Sequence, residues 1–288
     1  MLPVLWQGIV TGCLYSLGAL GLVMIFKSSG MVNFAHGALA GLGAFMVYAL
    51  NGEGVRWPWP IAVLAAMVSA VAIAALTYGA IAPLLKRSDT TATIGTLGVG
   101  LIAQGIILWQ FGSNIVRLDL PLPPFTLDMF GVKVTAYDVA VLVATLLVVG
   151  FLFSLIDHTR LGITFRAAST DPFAALVSGV SITRVHLFSW IVSSMLGVIA
   201  ALLIVPTTFL SSTTVTTFML QAFAAAVIGG FDSLPGSVIG GILVGVACNL
   251  FNFYVAPELL NAFLLVFMLA SLSMFPGGIL SKRMGSRV

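Results

Sequence analysis

Long apolar runs, almost free of charged residues, recur along this chain and leave few choices of fold. They lie at about 3–26, 37–50, 58–85, 91–112, 135–157, 185–205, 218–231, 234–255 and 259–276. Only 7% of the 288 residues are charged, whereas a soluble domain carries roughly 25%. Because so few polar side chains could cover a water-facing surface, the sequence predicts an all-α polytopic membrane protein. A transmembrane barrel would instead alternate polar and apolar residues.

The lengths of the runs predict the number of membrane segments. A helix needs about 20 apolar residues to cross a bilayer, and the runs at 37–50 and 218–231 are shorter. We therefore predict eight or nine membrane segments, at least two of them broken or re-entrant, in a single transmembrane domain over 1–288. Basic residues favour the cytoplasmic side, which places Lys86, Arg87 and the loop from Arg160 to Arg184 inside. The same orientation places the loop at 113–134 outside, and Trp190 in an inner interfacial belt.

A polar segment at 165–185, FRAASTDPFAALVSGVSITRV, interrupts the second half of the chain. Asp171 followed by Pro172 indicates a helix start, since the carboxylate caps free N–H groups and proline fits the first helical position. Gly179 is the expected helix end. A rigid helix flanked by arginines on the cytoplasmic side would offer a surface for a cytoplasmic partner. The alternative is an ordinary connecting loop.

The apolar runs carry almost no ionisable groups in their interiors. Ion-driven carriers place charged residues within the membrane, so the sequence argues against a self-sufficient ion-coupled transporter. It also contains no phosphate-binding loop of the G-x-x-x-x-G-K-[ST] type. No catalytic residues and no metal ligands are predicted. If the chain moves a solute uphill, the energy must enter through another protein.

Two glycine-rich segments resemble each other and indicate a weak internal repeat. Each places a polar break before a helix with glycines four residues apart, and each adjoins one of the two short runs. Paired interrupted spans are the best sequence pointer to a midplane transport pathway, although glycines at this spacing also permit close helix packing without touching substrate. Asn33 and His36 either line the route or bond the broken backbone. The candidate pathway residues are Asn33, His36, Gly37, Gly41, Gly236 and Gly240.

Four motifs occur in order: NFAHGALAGLGAF, ATIGTLGVGLIAQG, TRLGITFRAASTDPFAALVSGVSITRV and QAFAAAVIGGFDSLPGSVIGGILVG. Together they resemble the permease subunits of ATP-driven (ABC) importers for branched-chain amino acids, over about residues 5–280. Asp232 stands where this family's pattern has a smaller residue, which leaves the detail of that turn open. Any one of the glycine-rich pieces alone would be a weak match.

The resemblance implies partners that the residue pattern alone does not. They are a second, related permease subunit, two cytoplasmic ATP-binding subunits and a periplasmic substrate-binding protein, in a bacterial inner membrane. ATP and Mg²⁺ would bind to the ATPase partners, so this chain itself needs no cofactor and is not an enzyme. In the family, the segment within 165–185 couples the permease to the ATPase. Carried over, the coupling residues are Arg166, Ala167, Asp171, Ala174, Ala175 and Gly179.

The substrate implied by the resemblance is a branched-chain amino acid. An apolar pathway with a few neutral polar groups suits a small zwitterion with an aliphatic side chain. Related importers move urea, short amides or aromatic acids, and these stay open as alternatives. A different class, a stand-alone channel or facilitator, could use the same broken helices without any ATPase.

Overall fold

The computed structural model describes residues 1–52, 56–129 and 131–280, and these residues are mainly helical. In chain order the helices are α1 (Leu2–Ser29), α2 (His36–Asn51), α3 (Trp59–Leu85), α4 (Asp89–Phe111), α5 (Ala136–His158), α6 (Arg160–Thr170), α7 (Pro172–Val177), α8 (Ile182–Thr208), α9 (Thr214–Gly229), α10 (Leu234–Tyr254) and α11 (Leu260–Met274). A short 3-10 helix, Pro257–Leu259, precedes α11. The strands β1 (Thr126–Met129) and β2 (Val132–Thr135) pair antiparallel, with Thr126 opposite Thr135.

Seven helices in the described part of the chain are long and apolar enough to cross a membrane. They are α1, α3, α4, α5, α8, α10 and the continuous segment Pro257–Met274. The two short runs form helices of 16 residues each, α2 and α9. The predicted fold class, an all-α polytopic membrane protein, is thereby confirmed. The predicted total of eight or nine segments depends on how α2 and α9 sit in the bilayer and stays a prediction.

The chain divides into two compact units. Unit 1 comprises Met1–Val23, Leu122–Thr145 and the chain from Leu220 onward, and unit 2 comprises Met24–Pro121 and Leu146–Met219. That these units act as one transmembrane domain over 1–288 stays a prediction, and its last residues, 281–288, lie outside the described ranges.

Within unit 1, α1 and α10 approach closely through glycines. A Cβ placed on Gly12 would lie 2.6 Å from the Cα of Ile242, and one on Gly245 would overlap the backbone of Gly12. The Ser16 hydroxyl donates to the carbonyl of Val238 at 2.8 Å. Small residues let helix backbones come this close inside a membrane, where van der Waals contact and interhelical hydrogen bonds stabilise association.

Asp138 fixes the start of α5 in unit 1. It is only 1% exposed, and its carboxylate accepts from the Thr135 N–H at 2.9 Å while the Thr135 hydroxyl accepts from the Asp138 N–H at 3.2 Å. This reciprocal pair is a capping box. The Trp6 indole and the Gln7 amide of α1 donate to the same carboxylate, at 3.3 and 3.4 Å. A buried carboxylate with this many donors is satisfied and ties α5 to α1.

Within unit 2, α3 and α4 each bury one narrow stripe of small residues. In α3 the buried positions recur every four residues and are Ala62, Ala66, Ala70, Ala74 and Tyr78, and in α4 they are Ala92, Thr96, Gly100, Ala103 and Ile107. Residues four apart lie on the same face of a helix. The opposite faces expose large apolar side chains, such as Leu64, Leu76 and Leu101, as expected for surfaces that meet lipid.

One core cluster of unit 2 contains Trp190, which the sequence had placed in an inner interfacial belt. That prediction is wrong, because Trp190 is 1% exposed and packs with Ile25, Met31, Tyr78 and Ile81. Its ring lies 6.2 Å from that of Tyr78. Aromatic composition alone cannot tell which face of α8 carries the ring, and that face here points into the helix packing.

Candidate functional site

At the break between α1 and α2, two buried side chains accept hydrogen bonds from backbone N–H groups. Gly30 ends α1 with a positive φ of 73°, a conformation that glycine adopts without steric cost. The Asn33 side-chain oxygen accepts from the Ala35 N–H at 3.0 Å, and the Thr96 hydroxyl of α4 accepts from the Phe34 N–H at 3.0 Å. A polar backbone group left open in lipid would cost several kcal/mol. Asn33 therefore bonds the broken backbone, one of the two roles predicted for it.

His36 opens α2 and joins it to α8. Its ring is 2% exposed, and its Nδ1 lies 3.1 Å from the Ser193 hydroxyl. On α8, one turn further along, a Cβ at Gly197 would lie 2.9 Å from the ring carbon Cε1. The ring is therefore held between a hydroxyl partner and a glycine that leaves room for it. This geometry lets His36 act as a bridge between the break and α8.

The predicted pathway glycines all lie at close helix contacts. In unit 2, a Cβ on Gly37 would lie 2.5 Å from Met219 Cγ, and one on Gly41 would lie 3.5 Å from Ile107. In unit 1, Gly236 and Gly240 start α10 against the last turns of α9, where a Cβ on either would overlap backbone oxygens of α9. Gly37, Gly236 and Gly240 therefore pack helices tightly, whereas a Cβ on Gly41 would meet its neighbours at ordinary van der Waals distance. Asn33, His36, Gly37 and Gly41 are brought together around the start of α2, and a role in translocation stays a prediction.

The predicted short helix of the 165–185 segment is present as α7. The Asp171 carboxylate accepts from the N–H groups of Phe173 and Ala174, both at 3.0 Å, and Pro172 is the first helical residue. Gly179 has a φ of 85°, and the Val180 N–H donates to the Ala175 carbonyl at 2.9 Å. This is the left-handed glycine end typical of helices. The predicted start and end of this helix are confirmed.

An amphipathic helix, α6, precedes α7 and was not predicted. The Thr159 hydroxyl caps it by accepting from the Gly162 N–H at 3.1 Å. A Cβ at Gly162 would overlap the backbone of Ile156, so glycine allows the sharp corner between α5 and α6. Phe165 and Ala168 are buried, whereas Leu161 and Ile163 are exposed. The signals for this helix, a threonine cap and apolar residues at helical spacing, are visible in TRLGITFRAA.

The predicted coupling residues differ in exposure. Arg166, Ala167, Asp171, Ala174 and Gly179 are exposed, whereas Ala175 is only 4% exposed. Arg166 pairs with Asp157 at 3.3 Å across the corner between α5 and α6. Ala175 is thus a packing residue of α7, and a partner could not reach its side chain directly. The coupling assignment of the whole set stays a prediction.

Sequence reasoning missed the apolar face that α7 exposes. Phe173, Leu176 and Val177 are 75%, 57% and 74% exposed, respectively. Their spacing of three and four residues places them on one face of the helix. This spacing was readable in PFAALV, but its direction depends on Ala175 being the buried residue. An exposed apolar face outside the long apolar helices marks an interaction surface.

His186 connects the start of α8 to the end of α1 within unit 2. Its Nε2 lies 2.9 Å from the carbonyl oxygen of Ser28, two residues before Gly30. The ring of Tyr78 meets the His186 ring edge-on, with centroids 6.1 Å apart. Since α8 begins three residues after Gly179, the path from α7 to the α1–α2 break runs through one helix and two histidine contacts. We call this path the α8 link; its contacts are His186–Ser28 and His36–Ser193.

No cluster of three or more His, Cys, Asp or Glu side chains suited to a metal ion occurs among the residues that the structure describes. The fold, with many apolar helices and a break resealed by buried polar groups, defines a multi-pass membrane protein. A family model described as "Branched-chain amino acid transport system / permease component" matches residues 4–272. The chain belongs to this family, and the resemblance found in the sequence is confirmed.

Relatives match between 77% and 96% of the chain. A probable branched-chain amino acid transport permease protein LivH of Methanocaldococcus jannaschii is 29% identical, with 96% of this chain and 91% of that protein covered. The high-affinity branched-chain amino acid transport system permease protein LivH of Escherichia coli K12 is 27% identical, with 96% and 94% covered. The autoinducer 2 import system permease protein LsrC of Escherichia coli O9:H4 is 26% identical, with 77% of this chain and 62% of that protein covered.

The contact between Thr96 and the α1–α2 break can be tested by stability. We expect Thr96→Val, which keeps the shape but removes the acceptor of the Phe34 N–H, to destabilise the protein by about 1–3 kcal/mol. The matched control is Thr77→Val, because the Thr77 hydroxyl bonds only carbonyls of its own helix, at 2.7 and 3.1 Å. Thermal unfolding of both variants in detergent makes the comparison. Equal stability of the two would contradict this role of Thr96.

Proposed function

We propose that this chain is the membrane-spanning permease subunit of an ATP-driven ABC importer for branched-chain amino acids. The observation that carries the proposal is the family match over residues 4–272. The full-length likeness to permeases named for branched-chain amino acid transport supports the cargo. The likeness to a permease named for autoinducer 2 import favours a second candidate, an importer of the same class with another small polar cargo. Urea, short amides and aromatic acids belong to that second candidate.

The proposed assembly supplies what this chain lacks. The sequence has no phosphate-binding loop, so ATP and Mg²⁺ bind to two cytoplasmic ATPase subunits, and this subunit is not an enzyme. A second related permease completes the membrane part, and a periplasmic binding protein delivers the substrate. The whole assembly sits in a bacterial inner membrane. With so few charges in its apolar helices, the pathway carries a zwitterion past neutral polar groups and apolar walls.

In this proposal the ATPase acts on the coupling segment and α8 transmits the movement. The exposed apolar face of α7 docks on the ATPase, with Arg166, Ala167, Asp171, Ala174 and Gly179 around it and Ala175 packed beneath. Movement of α7 shifts the first turns of α8. The α8 link then pulls on Ser28 and His36, on either side of Gly30 and Asn33. Interfaces of packed helices switch between discrete arrangements, so the break before α2 is where access would change.

Reconstitution separates the importer from a stand-alone channel. We expect the purified chain alone in liposomes to pass no labelled leucine, since access changes only when ATPase subunits move the coupling segment. With the partner permease, the ATPases and the binding protein, uptake should require ATP. Competition by unlabelled valine, urea and benzoate then reports the cargo. Leucine flux through the isolated chain would overturn the importer proposal and favour a facilitator.

Docking through α7 can be tested at Phe173. We expect Phe173→Glu to abolish co-purification of the ATPase subunits, because a carboxylate would replace an apolar side chain that is 75% exposed. The matched control is Phe125→Glu, at an apolar residue that is 41% exposed in the loop predicted to face outside. Pull-down of the assembled complex measures both. Unchanged ATPase binding by the Phe173 variant would show that this face is not the dock.

The candidate pathway can be tested at His36. We expect His36→Ala to lower ATP-dependent uptake while the ATPase stays bound, because the bridge from α8 to the break is lost. Ser193→Ala should lower uptake in the same direction. The control is Ser189→Ala, whose hydroxyl bonds the carbonyl of Val185 on its own helix at 3.0 Å. Full uptake by the His36 variant would contradict a role in translocation and leave His36 with a packing role only.

A further inference from the structure

A groove with two arginines lies beside the coupling segment in unit 2. Residues of α6, of the α7–α8 turn and of the first turns of α8 line a cavity of about 290 Å³. Arg160 and Arg184 stand on its wall, and Thr164, Val185 and Phe188 supply a hydroxyl and apolar surface. None of its lining residues is an acid. We call this cavity the α6–α8 groove.

The two arginines of the α6–α8 groove have no acidic partner among the residues that the structure describes. The nearby Arg166 pairs with Asp157 at 3.3 Å, and the Asp171 carboxylate caps α7. Within the described ranges, neither Arg160 nor Arg184 forms an ion pair. Guanidinium groups bind phosphate through paired, charge-assisted hydrogen bonds. Two of them around one cavity without a carboxylate favour an anionic ligand.

The position of the groove indicates where that anion comes from. It lies where two candidate spans meet the surface, since α5 ends at His158 and α8 begins at Ile182. Such a position is at the level of the lipid headgroups, on the side predicted to be cytoplasmic. Leu161, which is 56% exposed, together with Val185 and Phe188, gives apolar contact next to the arginines. A headgroup phosphate attached to an acyl chain matches this combination of charge and apolar wall.

The groove is distinct from the apolar face of α7. Phe173, Leu176 and Val177 do not line it, so a ligand in the groove would leave this apolar face uncovered. No residue of α7 itself lines the cavity, and the lining resumes with Ser178 and Gly179, which directly follow the helix. We propose that the α6–α8 groove binds the phosphate of an anionic phospholipid. This ligand would hold α6 and the start of α8 at one height in the membrane surface.

The proposal can be tested with vesicles and with native mass spectrometry of the purified chain. We expect phosphatidylglycerol to stay bound in preference to phosphatidylcholine. Arg160→Ala and Arg184→Ala should each weaken that preference about fivefold, and the double variant should remove it. Arg184→Lys, which keeps the charge, should retain most of it. The control is Lys86→Ala, a basic residue on the same predicted side that does not line the groove.

Added inorganic phosphate distinguishes the two sources of a phosphate group. Failure of phosphate to displace the lipid supports a phospholipid site. Saturable phosphate binding that needs both arginines, without any lipid preference, would support the anion site and overturn its lipid source. Equal retention of phosphatidylglycerol by the double variant would overturn the proposal. Release of the ATPase by the double variant, with lipid retention unchanged, would also overturn it and identify a protein contact. Reconstituted uptake is a separate measurement that tests the importer proposal, so failure of one proposal can be told apart from failure of the other.

Discussion

The need to satisfy every backbone polar group inside a membrane governs this structure. A broken helix frees N–H and C=O groups where no water can take them up, so each break needs nearby partners. At the α1–α2 break the partners are the side chains of Asn33 and Thr96. After α9, Ser233 caps α10 through the Gly236 N–H at 3.0 Å, and the Ile279 N–H donates to the Ile228 carbonyl at 2.9 Å. Each break is thus closed by hydrogen bonds from nearby residues.

The small residues around these helix breaks allow close helix packing, which restricts relative motion of the helices. Gly37 lets α2 lie against α9, and Gly197 makes room for the His36 ring beside α8. At such distances a helix cannot slide by a fraction of a residue without overlap, so closely packed elements move as bodies. A helix that moves as one body can transmit a displacement from one end to the other. In the proposed mechanism this helix is α8, since it carries both contacts of the α8 link.

Local features were predictable from the sequence, and contacts between distant residues were not. The start and end of α7 follow from Asp171, Pro172 and Gly179, because caps act within one turn. The hydrogen bond between His36 and Ser193 joins residues 157 positions apart, and no local pattern encodes it. Burial of Trp190 and Ala175 likewise depends on which helix face meets a neighbour. The β1–β2 hairpin escaped prediction because its strands are only four residues each within a segment rich in proline.

The contacts of the α8 link are weak enough for the binding energy of a partner protein to rearrange them. Each of its two contacts is one hydrogen bond, His186 to the Ser28 carbonyl and Ser193 to His36. A hydrogen bond contributes about 0.5–1.5 kcal/mol net when its partners are exchanged for others. Two arrangements that differ by such exchanges lie within a few kcal/mol of each other, which is the range that a partner's binding energy can shift. Separating a buried ion pair at the same position would cost far more free energy, because it would leave uncompensated buried charges. In the proposed mechanism, the neutral polar contacts of the α8 link would therefore let the break respond to movement of α7.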